Sequence, residues 1–196
     1  WFRDTLGHDY LKEAEQAVLD PYVVMDHHVE HVPMGSRRLL YLPYLMGERT
    51  PHLDPDCRGV FFGLSAIHTQ DDMLRAVMEG VGYSLTDCQD ILRGMGIVVQ
   101  EMMACGGGGR SQLWRQMLAD MYNCEVKTVS SKEGPALGAA ILAGVGAGLF
   151  KSVVTACRDF IDTNTYCQPD PTAHAYYEKG HALYQKLYRQ LAGCYQ

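Results

Sequence analysis

Residues 97–120 read "IVVQEMMACGGGGRSQLWRQMLAD". An apolar run over 97–105 predicts a strand, and it passes straight into four glycines. Ser111 then suits a helix N-cap. Leu113, Trp114, Met117, Leu118 and Met121 fall at the spacing of one helical face. Strand, bare backbone and helix in that order form a corner where a ligand can approach the main chain without meeting a Cβ. The helix start behind the glycines offers unpaired N–H groups and partial positive charge, which suits an anion or a nucleotide. The dinucleotide pattern Gly-x-Gly-x-x-Gly fails, because Ser111 or Gln112 stands at its third glycine. The phosphate-loop pattern fails as well, since no Gly-Lys-Ser/Thr follows. A plain strand-to-helix turn stays open at this point.

Working outward, Asp71 and Asp72 are acids suited to the first turn of a helix. An apolar stripe of Met73, Ala76, Val77, Val81, Leu85, Cys88, Ile91 and Leu92 continues it to Gly94. Strands are predicted over 39–47, with Pro43 demoting its centre, over 60–64, and over 125–130. Helices are predicted over 11–19, stopped by Pro21, over 135–149, and from about 173 to 191. The stretch from Pro21 to Arg38 reads as irregular. "SSKEGPALGAAI" (130–141) is a second turn-to-helix corner, with a small-residue helix face suited to close packing. Strands alternating with helices predict an α/β domain with a mostly parallel sheet.

The chain has 196 residues, 47% hydrophobic and 20% charged, the composition of a globular domain. Its net charge of −6 with no basic block argues against nucleic acid and anionic membrane surfaces. Seven cysteines and no Cys-x-x-Cys pair fit reduced thiols in the cytoplasm, with neither a disulfide frame nor a zinc site. "WFRDTLGHDY" lacks the marks of a signal peptide, and "GPALGAAILAGVGAGLF" (134–150) is short and small-residue-rich for a membrane span.

Several other groups are candidates for chemistry. Asp54 and Asp56 sit in a proline-rich loop where turn formation competes with catalysis. For Asp71 and Asp72 the competing role is complementing the helix dipole. Glu79, in mid-helix, is expected to lock its helix to the sheet. "HHVEH" supplies His27, His28, Glu30 and His31, whose i, i+4 histidines would bind zinc only on a helix. The neighbouring prolines favour a solvated loop there. Arg49 and His52 in "GERTPH" either border a cleft or order their loop. Arg110 either meets a base or phosphate or pairs with a nearby acid.

"GVFFGLSAIHTQDDMLRAVME" (59–79) resembles the second signature of the FGGY carbohydrate kinases, through Gly59, Gly63, Leu64, Asp72, Met73, Ala76 and Glu79. "LPYLMGERTPHLDPDCRG", "GGGGRSQLWRQMLAD" and "EGPALGAAILA" fall in that family's order and spacing, with wording most similar to the xylulokinases. The resemblance implies that residues 1–196 are the C-terminal half of a two-lobed kinase. The implied lobe is actin-like and ribonuclease H-like, with a mixed or parallel sheet flanked by helices. It further implies transfer of a phosphoryl group from ATP, with Mg²⁺, to a sugar hydroxyl, D-xylulose to its 5-phosphate in the most similar subfamily. Kinases of gluconate, ribulose or glycerol, and a non-catalytic nucleotide-binding module, are the alternatives. By the same resemblance Gly106, Gly107 and Gly108 meet the adenosine end of the nucleotide, and Gly107 is the best match for close approach. Ser111 and Gln112 match positions that hydrogen-bond the adenine or ribose side. The family's catalytic aspartate and most sugar contacts lie in an N-terminal lobe, so this chain is expected to be a truncated, inactive domain with that lobe as its partner. A homodimer is a further assembly that the family implies.

Overall fold

A computed structural model describes residues 1–129, 134–161 and 163–195. Most of the "KEG" turn (132–134) and the start of the 130–141 corner lie outside the described residues. The chain opens with three helices, α1 (Phe2–Thr5), α2 (His8–Ala17) and α3 (Pro21–Glu30). A short antiparallel pair follows, β1 (Leu40–Leu42) and β2 (Val60–Phe62), with Leu40 opposite Phe62. Next come α4 (Gln70–Gly94), β3 (Glu101–Ala104), α5 (Gln112–Tyr122), β4 (Glu125–Val129), α6 (Gly134–Gly146), α7 (Val153–Phe160), β5 (Thr163–Cys167) and α8 (Pro171–Leu191). The second sheet has the order β3-β4-β5; β4 runs parallel to β3 and antiparallel to β5. The expected mostly parallel sheet is therefore mixed, because α7 and a short return strand reverse the last crossover.

The α4 helix is the spine of the fold. Thr69 caps it and Asp72 returns the bond to the Thr69 N–H at 2.8 Å, a reciprocal capping box that fixes the helix start. One face meets Phe2, Tyr10, Val24, Met25 and Val29 of the N-terminal helices. Its later turns help build the main core with α5 and α8, where Tyr83, Leu118, Met121, Tyr177, Tyr184 and Leu187 are buried.

Within α4, Arg75 and Glu79 form an i, i+4 pair at 2.9 Å, 5% and 2% exposed. The Glu79 carboxylate also accepts from the Gly35 N–H at 2.9 Å, the Ser36 hydroxyl at 3.0 Å and the Tyr177 hydroxyl at 3.2 Å. Arg75 donates to the carbonyls of Val29 and Val32 and to Tyr177. Burial pushes the Glu79 carboxyl up, with Arg75 and these donors pulling against it. Glu79 thus locks its helix to the α3–β1 connection and to α8, rather than to the sheet.

Three sequence expectations change. The helix predicted over 11–19 is α2 and ends at Ala17, where Val18 takes a left-handed conformation. Pro21 does not stop it; Asp20 caps and Pro21 opens α3, the pairing that a helix start favours. "HHVEH" is accordingly helical through Glu30 and not a loop. His28 spans three helices, with Nε2 2.8 Å from Glu13 and Nδ1 3.4 Å from Asp71. Among the described residues His27 and His31 belong to no metal-type cluster.

Two outcomes test this architecture. Glu79→Ala leaves a buried guanidinium unpaired, and we expect a loss of about 3–5 kcal/mol in urea denaturation; Arg75→Met with Glu79→Leu recovers most of it. The hydrogen bond to Glu13 raises the pKa of His28, helped by Asp71 and opposed by burial. A raised imidazole pKa stabilises fully below the unfolded value near pH 6.5, and the effect is lost as pH rises through the folded value. The melting-temperature gap between wild type and His28→Gln should therefore be largest in acid and shrink as pH rises above about 6.5.

Candidate nucleotide-binding site

The four glycines have different structural reasons. Gly106 has φ +76°, a left-handed turn that a side chain would strain, and a Cβ on it would meet nothing within 4 Å. Gly107 also faces open space. At Gly108 a Cβ would press into the Trp114 ring, and at Gly109 into the Ala104 carbonyl oxygen. Half of the run is thus required by the protein's own packing. Only Gly106 and Gly107 leave backbone bare toward the outside.

α5 anchors this turn. Ser111 caps the helix by accepting from the Trp114 N–H at 3.0 Å. Arg115, 5% exposed, donates to the Gly109 carbonyl at 2.5 Å. Neither Trp114 nor Arg115 stood out in the sequence as part of the site, although both lie in the first turn after the glycines.

Gly107, Gly108, Arg110, Ser111 and Trp114 border a cavity of about 600 Å³. Its opposite walls come from Trp1, Phe2 and Arg3, from Tyr22 and Asp26 of α3, and from Leu74, Val77, Met78 and Val81 of α4. The walls are largely apolar and aromatic, with a few polar groups at the rim. Burial pushes the Asp26 carboxyl up, while a hydrogen bond to Ser111 pulls it down. Gly106 and Gln112 do not line this cavity, and Gln112 is exposed.

The remaining candidates do not gather here. Asp72 works in the α4 cap and pairs with Arg37 at 3.1 Å, and Asp71 accepts from Tyr10 at 2.5 Å. Asp54 takes the N–H groups of Asp56 and Cys57, each at 3.1 Å, and the Tyr188 hydroxyl at 2.9 Å. It is a turn former. His52 points into the domain, stacked on Tyr188 with ring centroids 3.7 Å apart. The "GERTPH" loop is thereby ordered by α8. Arg49 and Asp56 are exposed.

Comparison with known proteins decides the family. Residues 1–147 match "FGGY family of carbohydrate kinases, C-terminal domain". The chain belongs to this family. Among its relatives, a xylulose kinase of Staphylococcus epidermidis is 42% identical over 157 residues, covering 80% of this chain and 32% of the relative. A gluconokinase of Bacillus subtilis is 40% identical over 149 residues, 72% of this chain and 28% of the relative. The crystal structure of a ligand-bound xylulose kinase from Lactobacillus acidophilus superposes with TM-score 0.82 at 31% identity, covering 96% of this chain and 39% of that one. FGGY kinases share the actin-like ATPase fold, and this chain has the α/β architecture of its C-terminal part. The chain spans about a third of the length of the curated relatives it matches. Among the described residues no helix is long and apolar enough to cross a membrane.

The two kinds of glycine separate experimentally. Gly109→Ala should cost about 1–3 kcal/mol in chemical denaturation, since its methyl has no room. Gly107→Ala should stay within about 0.5 kcal/mol of wild type.

Proposed function

We propose that the cavity beside Gly107 holds the adenosine part of ATP, and that the chain is the nucleotide-side wall of a cytoplasmic sugar kinase. The observation that carries this reading is the pairing of open glycine backbone with a cavity of about 600 Å³ walled by aromatic and aliphatic side chains. Flat apolar walls suit a base, and a few rim polar groups suit its edge and the ribose. Gly107 supplies the close backbone approach, with Gly108 and Ser111 beside it on the cavity wall, while Gly106 makes the turn and Gln112 lies outside the cavity. Arg3 and Arg110 are the cations at the rim.

In this reading ATP supplies the phosphoryl group and Mg²⁺ balances its charge. This chain's residues bind and orient the nucleoside, which is the positioning part of phosphoryl transfer. We assign the catalytic aspartate, the sugar pocket and the phosphate loops to an N-terminal lobe. D-xylulose is the favoured substrate, supported by the "GERTPH" wording and by the xylulose kinases among the relatives. Gluconate is the second reading, because a gluconate kinase structure from Lactobacillus acidophilus matches with TM-score 0.81.

Trp1 and Trp114 both line the cavity, so their fluorescence reports its occupancy. We expect ADP and ATP to quench it saturably, and Gly107→Leu to abolish the quenching without lowering the melting temperature. Equal quenching in Gly107→Leu would remove the assignment. The chain alone should phosphorylate neither D-xylulose nor gluconate, whereas the two-lobed enzyme should prefer D-xylulose in a coupled ADP-release assay.

A further inference from the structure

A second site lies on the far side of α4 from the nucleotide cavity. Asp87 and Asp90, three residues apart, project from one face of that helix toward His181 and Gln185, four apart on α8. One ligand-type atom from each of Asp87, Asp90 and His181 lies within 4.8 Å of the others.

Asp87 supplies the independent sign of a missing ligand. Its residue is 5% exposed, and its Oδ1 takes His181 Nε2 and Gln185 Nε2, each at 2.7 Å. Its Oδ2 is fully buried and has no hydrogen-bond partner among the described residues. Facing that oxygen at 3.7 Å is His52 Nε2, buried and equally without a hydrogen bond. A hydrogen bond would bring these atoms to about 2.9 Å. A buried carboxylate with one empty oxygen is costly, and a cation relieves that cost.

We propose that Asp87, Asp90 and His181 form a divalent-metal site of the Zn²⁺ class between α4 and α8, with Asp87 as its buried anchor. Two carboxylates and one imidazole are the nitrogen–oxygen donors that Zn²⁺ accepts, while Mg²⁺ takes oxygen ligands and keeps most of its water. Metal–ligand distances near 2.0–2.2 Å ask the donors to close by small side-chain rotations, with His181 exchanging its bond to Asp87 for the metal. A cavity of about 390 Å³, lined by Asp90 and His181, gives the ion an entry path and room for completing waters. Arg93 donates to Asp90 Oδ1 at 3.0 Å, and the long 3.4 Å bond from Gln185 Nε2 to Asp90 Oδ2 is the one an ion would displace.

The test uses the chelator-treated chain with Co²⁺ and Zn²⁺ alone as probes. We expect one equivalent of Co²⁺ to bind with visible d–d absorption, Zn²⁺ to displace it, and Zn²⁺ to raise the melting temperature. Asp90→Asn and His181→Gln should each weaken Co²⁺ binding by about tenfold or more. The Asp90 side chain is 42% exposed, so Asp90→Asn keeps the metal-free melting temperature and reads the site even where another variant unfolds. His27→Ala with His31→Ala should leave binding unchanged. Absence of stoichiometric Co²⁺ binding, or equal binding by Asp90→Asn, overturns the site.

Discussion

The fold depends on a charge pair that water does not reach. Arg75 and Glu79 are buried on α4, and a buried pair is tolerated only when its remaining donors and acceptors are satisfied. Five groups from outside the helix do this: the Gly35 N–H, the Ser36 hydroxyl, the Val29 and Val32 carbonyls, and the Tyr177 hydroxyl. Hydrogen-bond geometry is narrow, so the α3–β1 connection and α8 are each held at one position along α4. Apolar packing alone would allow them to slide. The cavity beside Gly107 uses one face of the same helix, so the network that fixes α4 also fixes the cavity's floor.

The glycine turn shows how close packing and open backbone share one sequence signal. Gly108 admits the Trp114 ring, Gly109 admits the Ala104 carbonyl, and Arg115 ties the Gly109 carbonyl to α5. Those contacts make a rigid base from which Gly106 and Gly107 project bare backbone. Rigidity before binding lowers the cost of ordering a loop around a ligand. Trp114 does both jobs, packing under the turn and walling the cavity.

What the sequence displayed was local. The α4 helix to Gly94, the Ser111 cap and the strand–glycine–helix corner are each set by neighbours within a few residues and appear as expected, although Leu85 and Ile91 of the α4 stripe are exposed. α3 was hidden because Pro21 reads equally as a stop or a start, and Asp20 before it decides for a start. β5 was hidden because "TNTYC" is short and polar, and its strand character comes from pairing with β4. His52 could border a cleft or order its loop, and the stacking of Tyr188, far along the chain, decides for the loop. The far wall of the cavity, Trp1, Tyr22 and Asp26, sits some eighty residues or more before the glycines, and no spacing rule joins them. The Asp87–Asp90–His181 group is likewise a product of α4 meeting α8.

The bond from Arg75 to Tyr177 joins residues 102 apart. At a synthesis rate of about 5–20 residues per second, the ribosome needs roughly 5–20 s to add the second partner after the first. For that interval α4 carries an incomplete network and an uncovered apolar face. The C-terminal helix is therefore the last brace to arrive, and a nascent chain paused before it exposes the surface that chaperones are built to hold.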